Sequence, residues 1–219
     1  MKHLTKHVTP IIFVLVFPTI SSLICYAGID EDLIEAAGIG DIQTVRNLIE
    51  KGPDVNAKGN DGETALTATI VGSGEVIELL IDSGADVNAK NKEGKTPLIW
   101  TAVSGDSKIT KLLINRGADV NAKDRKNWTA LIWASYSGYT KIGKLLIDNG
   151  ALVNAKDIYG KTALMWAAEF RRTEFAKLLI DSGADVSAKD MIGWTAQKIA
   201  ENKGYTEIVR LLKQAATEK

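Results

Sequence analysis

The chain has 219 residues, 45% hydrophobic and 25% charged, with 27 basic and 27 acidic side chains and a formal net charge of zero. This is an ordinary composition for a folded protein. Without a clustered basic excess it excludes a phosphate-backbone reader, and with one cysteine it excludes an intramolecular disulfide framework.

The first 27 residues form a separate object. Lys2 and Lys6 make a positive start, Ile11 to Phe17 is an apolar run, and Cys25-Tyr26-Ala27 places small residues at −3 and −1 of a cut before Gly28. This three-part pattern predicts a secretory signal peptide over 1–27 and an exported, periplasmic or secreted, mature chain. The alternative is an uncleaved inner-membrane anchor through residues 8–27, since about 20 apolar residues span a bilayer. Pro10, Pro18, Thr19, Ser21 and Ser22 count against it, and bulky Ile24 counts against lipidation at Cys25. His3, His7 and Cys25 all lie in this segment, so a cleaved chain carries no histidine or cysteine.

From Gly28 onward one phrase recurs. GPDVNAK at Gly52 to Lys58 returns as GADVNAK at Gly84 and Gly117, GALVNAK at Gly150 and GADVSAK at Gly183. The starting glycines are 32, 33, 33 and 33 residues apart, and a threonine follows six residues after each closing lysine: Thr64, Thr96, Thr129, Thr162 and Thr195. So fixed a period means stacked copies of one supersecondary unit. The units run over about 29–58, 59–90, 91–123, 124–156, 157–189 and 190–219, with the first and last degenerate, as terminal repeats with one unpartnered face should be.

Within 157–189, Asp157-Ile-Tyr-Gly160 has the residue preferences of a type I turn. Thr162 is a predicted N-cap for a short apolar helix over 163–168. Residues 174–180 read as a second helix ended by Gly183 at the left-handed C′ position. The extended stretch 184–188 leads to the next turn. In the unit from Asn91, Pro97 takes the favoured first helical position after Thr96.

Turn, helix, helix and extended return in 33 residues resemble the ankyrin repeat. The resemblance rests on Gly94-x-Thr96-Pro-Leu98, Lys111-Leu-Leu-Ile114 and Gly117-Ala-Asp-Val-Asn-Ala122 with their equivalents, and covers about residues 29–215. It implies an all-α solenoid of about six helix-turn-helix units joined by β-hairpin-like turns. The sequence departs from the family in several places. The histidine usual one residue after Thr-Pro-Leu is replaced by Thr67, Ile99, Ile132, Met165 and Lys198, so inter-repeat contacts are expected to rest more on packing. Trp100, Trp133 and Trp166 stand where the family has Leu, and are expected to fill the helix–helix core. The second unit is one residue shorter, with Gly72-Ser-Gly74 between its helices. Arg171 stands where the others have Gly74, Gly105, Gly138 and Gly204, at a cost of roughly 1 kcal/mol for a left-handed backbone.

No feature points to a reaction. The mature chain lacks the usual base, nucleophile pair and metal ligands, and has no Gly-rich phosphate loop. Asp-Val-Asn lacks the Gly and distant Glu of a calcium loop, and its Asp and Asn are expected to stabilise the return turn. No enzyme activity, cofactor or metal is expected; a carboxylate-only hydrolase is the remaining catalytic alternative.

The resemblance implies a protein partner held at the turn tips and the solvent side of the first helices, and a monomer without nucleic acid or, once cleaved, stable membrane association. The tips read Asn60-Asp61, Lys92-Glu93, Arg125-Lys126, Ile158-Tyr159 and Met191-Ile192, changing from polar through basic to apolar. The residue before each threonine is Glu63, Lys95, Trp128, Lys161 or Trp194. Val103, Tyr136, Glu169 and Phe170 are expected on the concave side. Trp128, Tyr136, Ile158, Tyr159, Phe170, Met191, Ile192 and Trp194 are therefore expected to share one exposed face, with Arg125 and Lys126 as a charged rim. The alternatives to a periplasmic binding module are a secreted effector or inhibitor of a host or competitor protein, and a membrane-tethered scaffold.

Overall fold

The computed structural model describes residues 17–69 and 74–217, with side chains from residue 28 onward. Most of the predicted leader, including His3, His7 and the side chain of Cys25, therefore lies outside the described residues, as do Gly72 and Ser73. Twelve helices and no strand are found among the described residues. They are α1 (Phe17–Ile39), α2 (Ile42–Ile49), α3 (Ala65–Ala68), α4 (Gly74–Asp82), α5 (Pro97–Ser104), α6 (Ser107–Asn115), α7 (Ala130–Ser137), α8 (Thr140–Asp148), α9 (Ala163–Glu169), α10 (Thr173–Asp181), α11 (Ala196–Lys203) and α12 (Thr206–Thr217). The predicted cut before Gly28 falls within α1.

The helices form two layers. α1, α3, α5, α7, α9 and α11 touch in succession, and so do α2, α4, α6, α8, α10 and α12. The recurring threonines start the inner layer. Each hydroxyl of Thr64, Thr96, Thr129, Thr162 and Thr195 accepts from the amide three residues on, satisfying a donor that a helix start leaves open. The central inner helices α5, α7 and α9 are apolar almost all round: Leu98, Ile99 and Ala102, then Leu131, Ile132 and Ala134, then Leu164, Met165 and Ala167 are buried. Ile99, Ile132 and Met165 stand where the family has histidine, and packing has replaced that polar position. Each such side chain removed from water contributes about 1.5–3 kcal/mol.

The outer helices bury one face. Phe175 in α10 occupies the position of Ile142 in α8 and is fully buried, its ring lying where a Cβ on Gly143 would collide with it. The larger ring is accommodated by the smallest residue on the neighbouring helix. At the turn between α9 and α10, Arg171 has φ 54, the left-handed backbone that Gly105, Gly138 and Gly204 adopt at the matching positions.

The recurring Asp-x-Asn links successive units. Asn56 donates Nδ2 to Gly84 O (3.0 Å) and accepts from Asp86 N (2.8 Å); Asn88, Asn121 and Asn154 make the same pair one unit further each time. In four of the five return loops the aspartate accepts from the amide two residues on, as Asp86 does from Asn88 N (2.9 Å); the fourth loop has Leu152 there and lacks this bond. Lys58, Lys90 and Lys156 reach the main-chain carbonyl of the lysine one unit ahead. At the start of the array Asp30 accepts from Asp54 N (2.8 Å). In the fifth copy Asn is replaced by Ser187, whose hydroxyl turns back onto Asp185.

Candidate functional site

The turns carry the candidate site on a rigid frame. In each, the first residue closes the loop by backbone pairing at both ends, as Asp157 N does to Lys161 O (3.0 Å) and Gly160 N to Asp157 O (3.0 Å). In the fourth, fifth and sixth units the side-chain Oδ1 of this residue accepts two more amides: Asp124 from Lys126 and Trp128, Asp157 from Tyr159 and Lys161, Asp190 from Ile192 and Trp194. Successive tips are joined by one backbone bond each: Arg125 N to Glu93 O (2.9 Å), Ile158 N to Lys126 O (3.1 Å) and Met191 N to Tyr159 O (3.0 Å). Gly94 shows why the turns hug one another: its φ is 77, and an added Cβ would lie 3.0 Å from Arg125 N. Asn127, with φ 57, takes that backbone in the fourth unit.

The tryptophans do not sit where sequence spacing puts them. Trp128, expected at the surface, is 6% exposed. Its ring lies 4.4 Å from Trp133 and 4.6 Å from Trp166, wedged between the inner helices of two units. Trp100, Trp133 and Trp166, expected in the core, are only half-buried and line the edge of the inner layer. The physical reason is size. A Trp at the first-helix position of consecutive units leaves a slot between the rings, and the residue before the threonine fills it. Lys95 takes the corresponding slot one unit earlier, its Nζ 4.3 Å from the Trp100 ring and 5.0 Å from Trp133, and Lys161 lies 4.5 Å over Trp166 while pairing with Glu169 at 2.5 Å. The result is a rail of indoles flanked by the ammonium groups of Lys95 and Lys161, with Trp128 filling the slot between Trp133 and Trp166.

One carboxylate connects each of the fourth and fifth tips to this rail. Trp133 donates Nε1 to Asp124 Oδ2 and Trp166 to Asp157 Oδ2, both at 3.0 Å, with Asp124 and Asp157 buried. The nine-residue Asp-to-Trp spacing was visible in the sequence and would have placed these rings. Trp100 lacks the bond because Asn91 stands at its turn: the amide oxygen already serves Glu93 N and Lys95 N, and the other group is itself a donor. The Trp100 Nε1 is buried without a partner, as is that of Trp128.

Of the other expected site residues, Tyr136 and Phe170 join the aromatic cluster, 4.5 Å from one another, with Phe170 at its exposed edge. Trp194 is half-buried against the core. Arg125 and Lys126 are exposed on the fourth tip. Tyr159, Met191 and Ile192 are 52%, 76% and 72% exposed, and Ile158 is exposed with them on the fifth tip. Two adjacent tips thus project large apolar side chains into solvent. On the third tip Glu93 is held below the usual carboxylate range, first by the Lys95 hydrogen bond and charge and then by Lys126 and Arg125. Among the described residues no group of three or more His, Cys, Asp or Glu side chains is placed to hold a metal, and no helix is long and apolar enough to cross a membrane.

A family model described as ankyrin repeats (3 copies) matches residues 33–124 and 122–190. No curated protein matches the chain.

Proposed function

This chain belongs to the ankyrin-repeat family, whose repeats are generally protein-interaction modules, and from that premise we propose that it is a non-catalytic binding module that holds a partner protein with its turn tips and the concave edge beside them. The observation that carries this reading is the pair of adjacent tips bearing Ile158, Tyr159, Met191 and Ile192 in solvent. Large apolar groups exposed together are costly to leave in water and mark binding surfaces. The ladder of tip-to-tip backbone bonds and the Asp-anchored turns hold these groups still, so little ordering is lost on binding. Trp128, Tyr136 and the half-buried indoles support the tips from beneath, and Phe170 and Trp194 extend the surface at its margins.

The test is capture of a partner by the chain beside a Tyr159→Ser/Met191→Ser/Ile192→Ser variant, which leaves the buried rings intact. Loss of the partner with unchanged thermal stability supports the reading. Retention of the partner moves the site elsewhere. Replacing Trp128 is unsuitable for this purpose, because it opens the core.

We further propose that the chain is exported, on the strength of the N-terminal pattern. A cut before Gly28 leaves in place Ile29, Leu33, Ala36 and Ala37, which pack into the core. Intact mass after expression from the native start codon in a bacterium tests this: a chain beginning at Gly28 supports it, and an uncleaved chain favours the membrane-tethered scaffold. Retention in the periplasm against release into the medium separates an envelope module from a secreted effector.

A further inference from the structure

The tips divide into two chemical halves that meet between the fourth and fifth units. On the third and fourth tips, Lys95, Arg125 and Lys126 surround one carboxylate, Glu93, which Lys95 already holds at 2.7 Å, while Lys92 donates to the Asn60 carbonyl on the second tip. Neither Arg125 nor Lys126 makes an ion pair among the described residues. On the fifth and sixth tips the carboxylates of Asp157 and Asp190 point inward onto turn amides, and the second and third turn positions are all apolar. Positive charge is therefore uncompensated on one side of the boundary, and apolar surface is uncovered on the other.

Resting on the proposal above that the tips bind a protein, we infer that the occupant is an extended acidic–apolar segment of the partner, running along the tips with its carboxylates over Arg125 and Lys126 and a large apolar side chain over Tyr159, Met191 and Ile192. The spacing follows from the stack. Packed helices lie about 8–10 Å apart, so neighbouring tips are separated by about that distance. An extended strand rises about 3.3 Å per residue. The acidic and apolar anchors are therefore about three residues apart when the apolar group meets the fifth tip, and about six when it meets the sixth. Charge complementarity sets the register and the apolar tips supply the burial. A uniformly apolar segment leaves the basic tips unmatched, and a uniformly acidic one leaves the apolar tips wet.

Fluorescein-labelled peptides test this by anisotropy on the purified full chain. One probe carries a block of Asp and Glu about three residues before a Phe-Leu pair, one has the blocks in reverse order, one has the same residues interleaved, and one has Lys for every acid. The expected result is that one block order binds at least about tenfold more tightly than the interleaved peptide, about 1.4 kcal/mol. Its affinity falls with added salt, and an Arg125→Glu/Lys126→Glu variant transfers the preference to the Lys peptide. Equal binding of block and interleaved probes, or an unchanged preference in the charge-reversed variant, overturns the inference. If no probe binds while partner capture still depends on Tyr159, Met191 and Ile192, the acidic–apolar inference fails and the binding-face reading stands; if capture is also indifferent to those residues, both fail. Concentration-dependent self-association, or cosedimentation with phosphatidylglycerol-containing vesicles, lost in the Tyr159→Ser/Met191→Ser/Ile192→Ser variant would instead assign the tips to a second copy or to a lipid surface.

Discussion

The junction between the fourth and fifth units and the junction between the second and third are similar in sequence and different in structure. At the former, α7 and α9 are seven or eight residues long, Trp128 fills the slot between Trp133 and Trp166, and buried Asp124 and Asp157 bind both indole N–H groups. At the latter, α3 is a four-residue helix with Ala68 at the tryptophan position, and it touches α5 sparingly. A cavity of about 730 Å3, lined by Leu66, Thr69, Ile77, Trp100 and Ile109 among others, opens beside it. A repeated phrase thus secures the unit and its return loop but not an equal interface. Interface strength follows from the few positions that vary, because nearest-neighbour contacts dominate a stack.

The largest effect that would break this contrast is loss of the wedge. Trp128→Ala should cost about 3–5 kcal/mol in chemical denaturation, since the flanking rings are tied to their aspartates and collapse only in part. A destabilisation below about 1 kcal/mol would mean that the rings close over the gap and the C-terminal junction is not held by packing.

Next is the indole hydrogen bond. Asp124→Asn keeps the acceptor for the turn amides but presents an amide donor to Trp133 Nε1, recreating the arrangement of Asn91 and Trp100. It should cost about 1.5–3 kcal/mol, the range for a bond to a charged group. The reciprocal Asn91→Asp supplies Trp100 with the acceptor it lacks and should raise stability by about 1 kcal/mol. Both are read as shifts in denaturation midpoint at constant m-value. If the two changes have the same sign, the carboxylate is not what distinguishes the junctions.

The smallest effect is on pH dependence. Glu93 titrates lower in the folded chain than its ordinary value of 4.5. Its contribution is therefore fully present above that value and is lost as pH falls through the lower folded one. Glu93 is mostly solvent-exposed, so the change is slight. Glu93→Gln should flatten the acid limb of a melting-temperature profile below about pH 4.5 and leave it unchanged near neutrality. An unaltered acid limb would show that Lys95 is held by its two indoles alone.

Much of the site is legible in the sequence. The tip residues Arg125, Lys126, Ile158, Tyr159, Met191 and Ile192 are exposed as their turn positions imply, because two residues at the apex of a four-residue turn have no helix to pack against. The tryptophans are misplaced by sequence reasoning, since reading each position separately hides that Trp133 and Trp166, 33 residues apart, become neighbours across a junction.

Sequence by itself determined the repeat, its threonine caps, its turns and the all-helical stack, because those depend on contacts within a unit or on a fixed offset to the next. The left-handed backbone at Arg171 was also readable, from the glycines at the matching positions. Tertiary structure alone decided which indole is buried, which lacks a partner and where Lys95 and Lys161 lie. Those outcomes depend on side-chain volumes from two units meeting in one slot, and a slot is a property of neither unit alone.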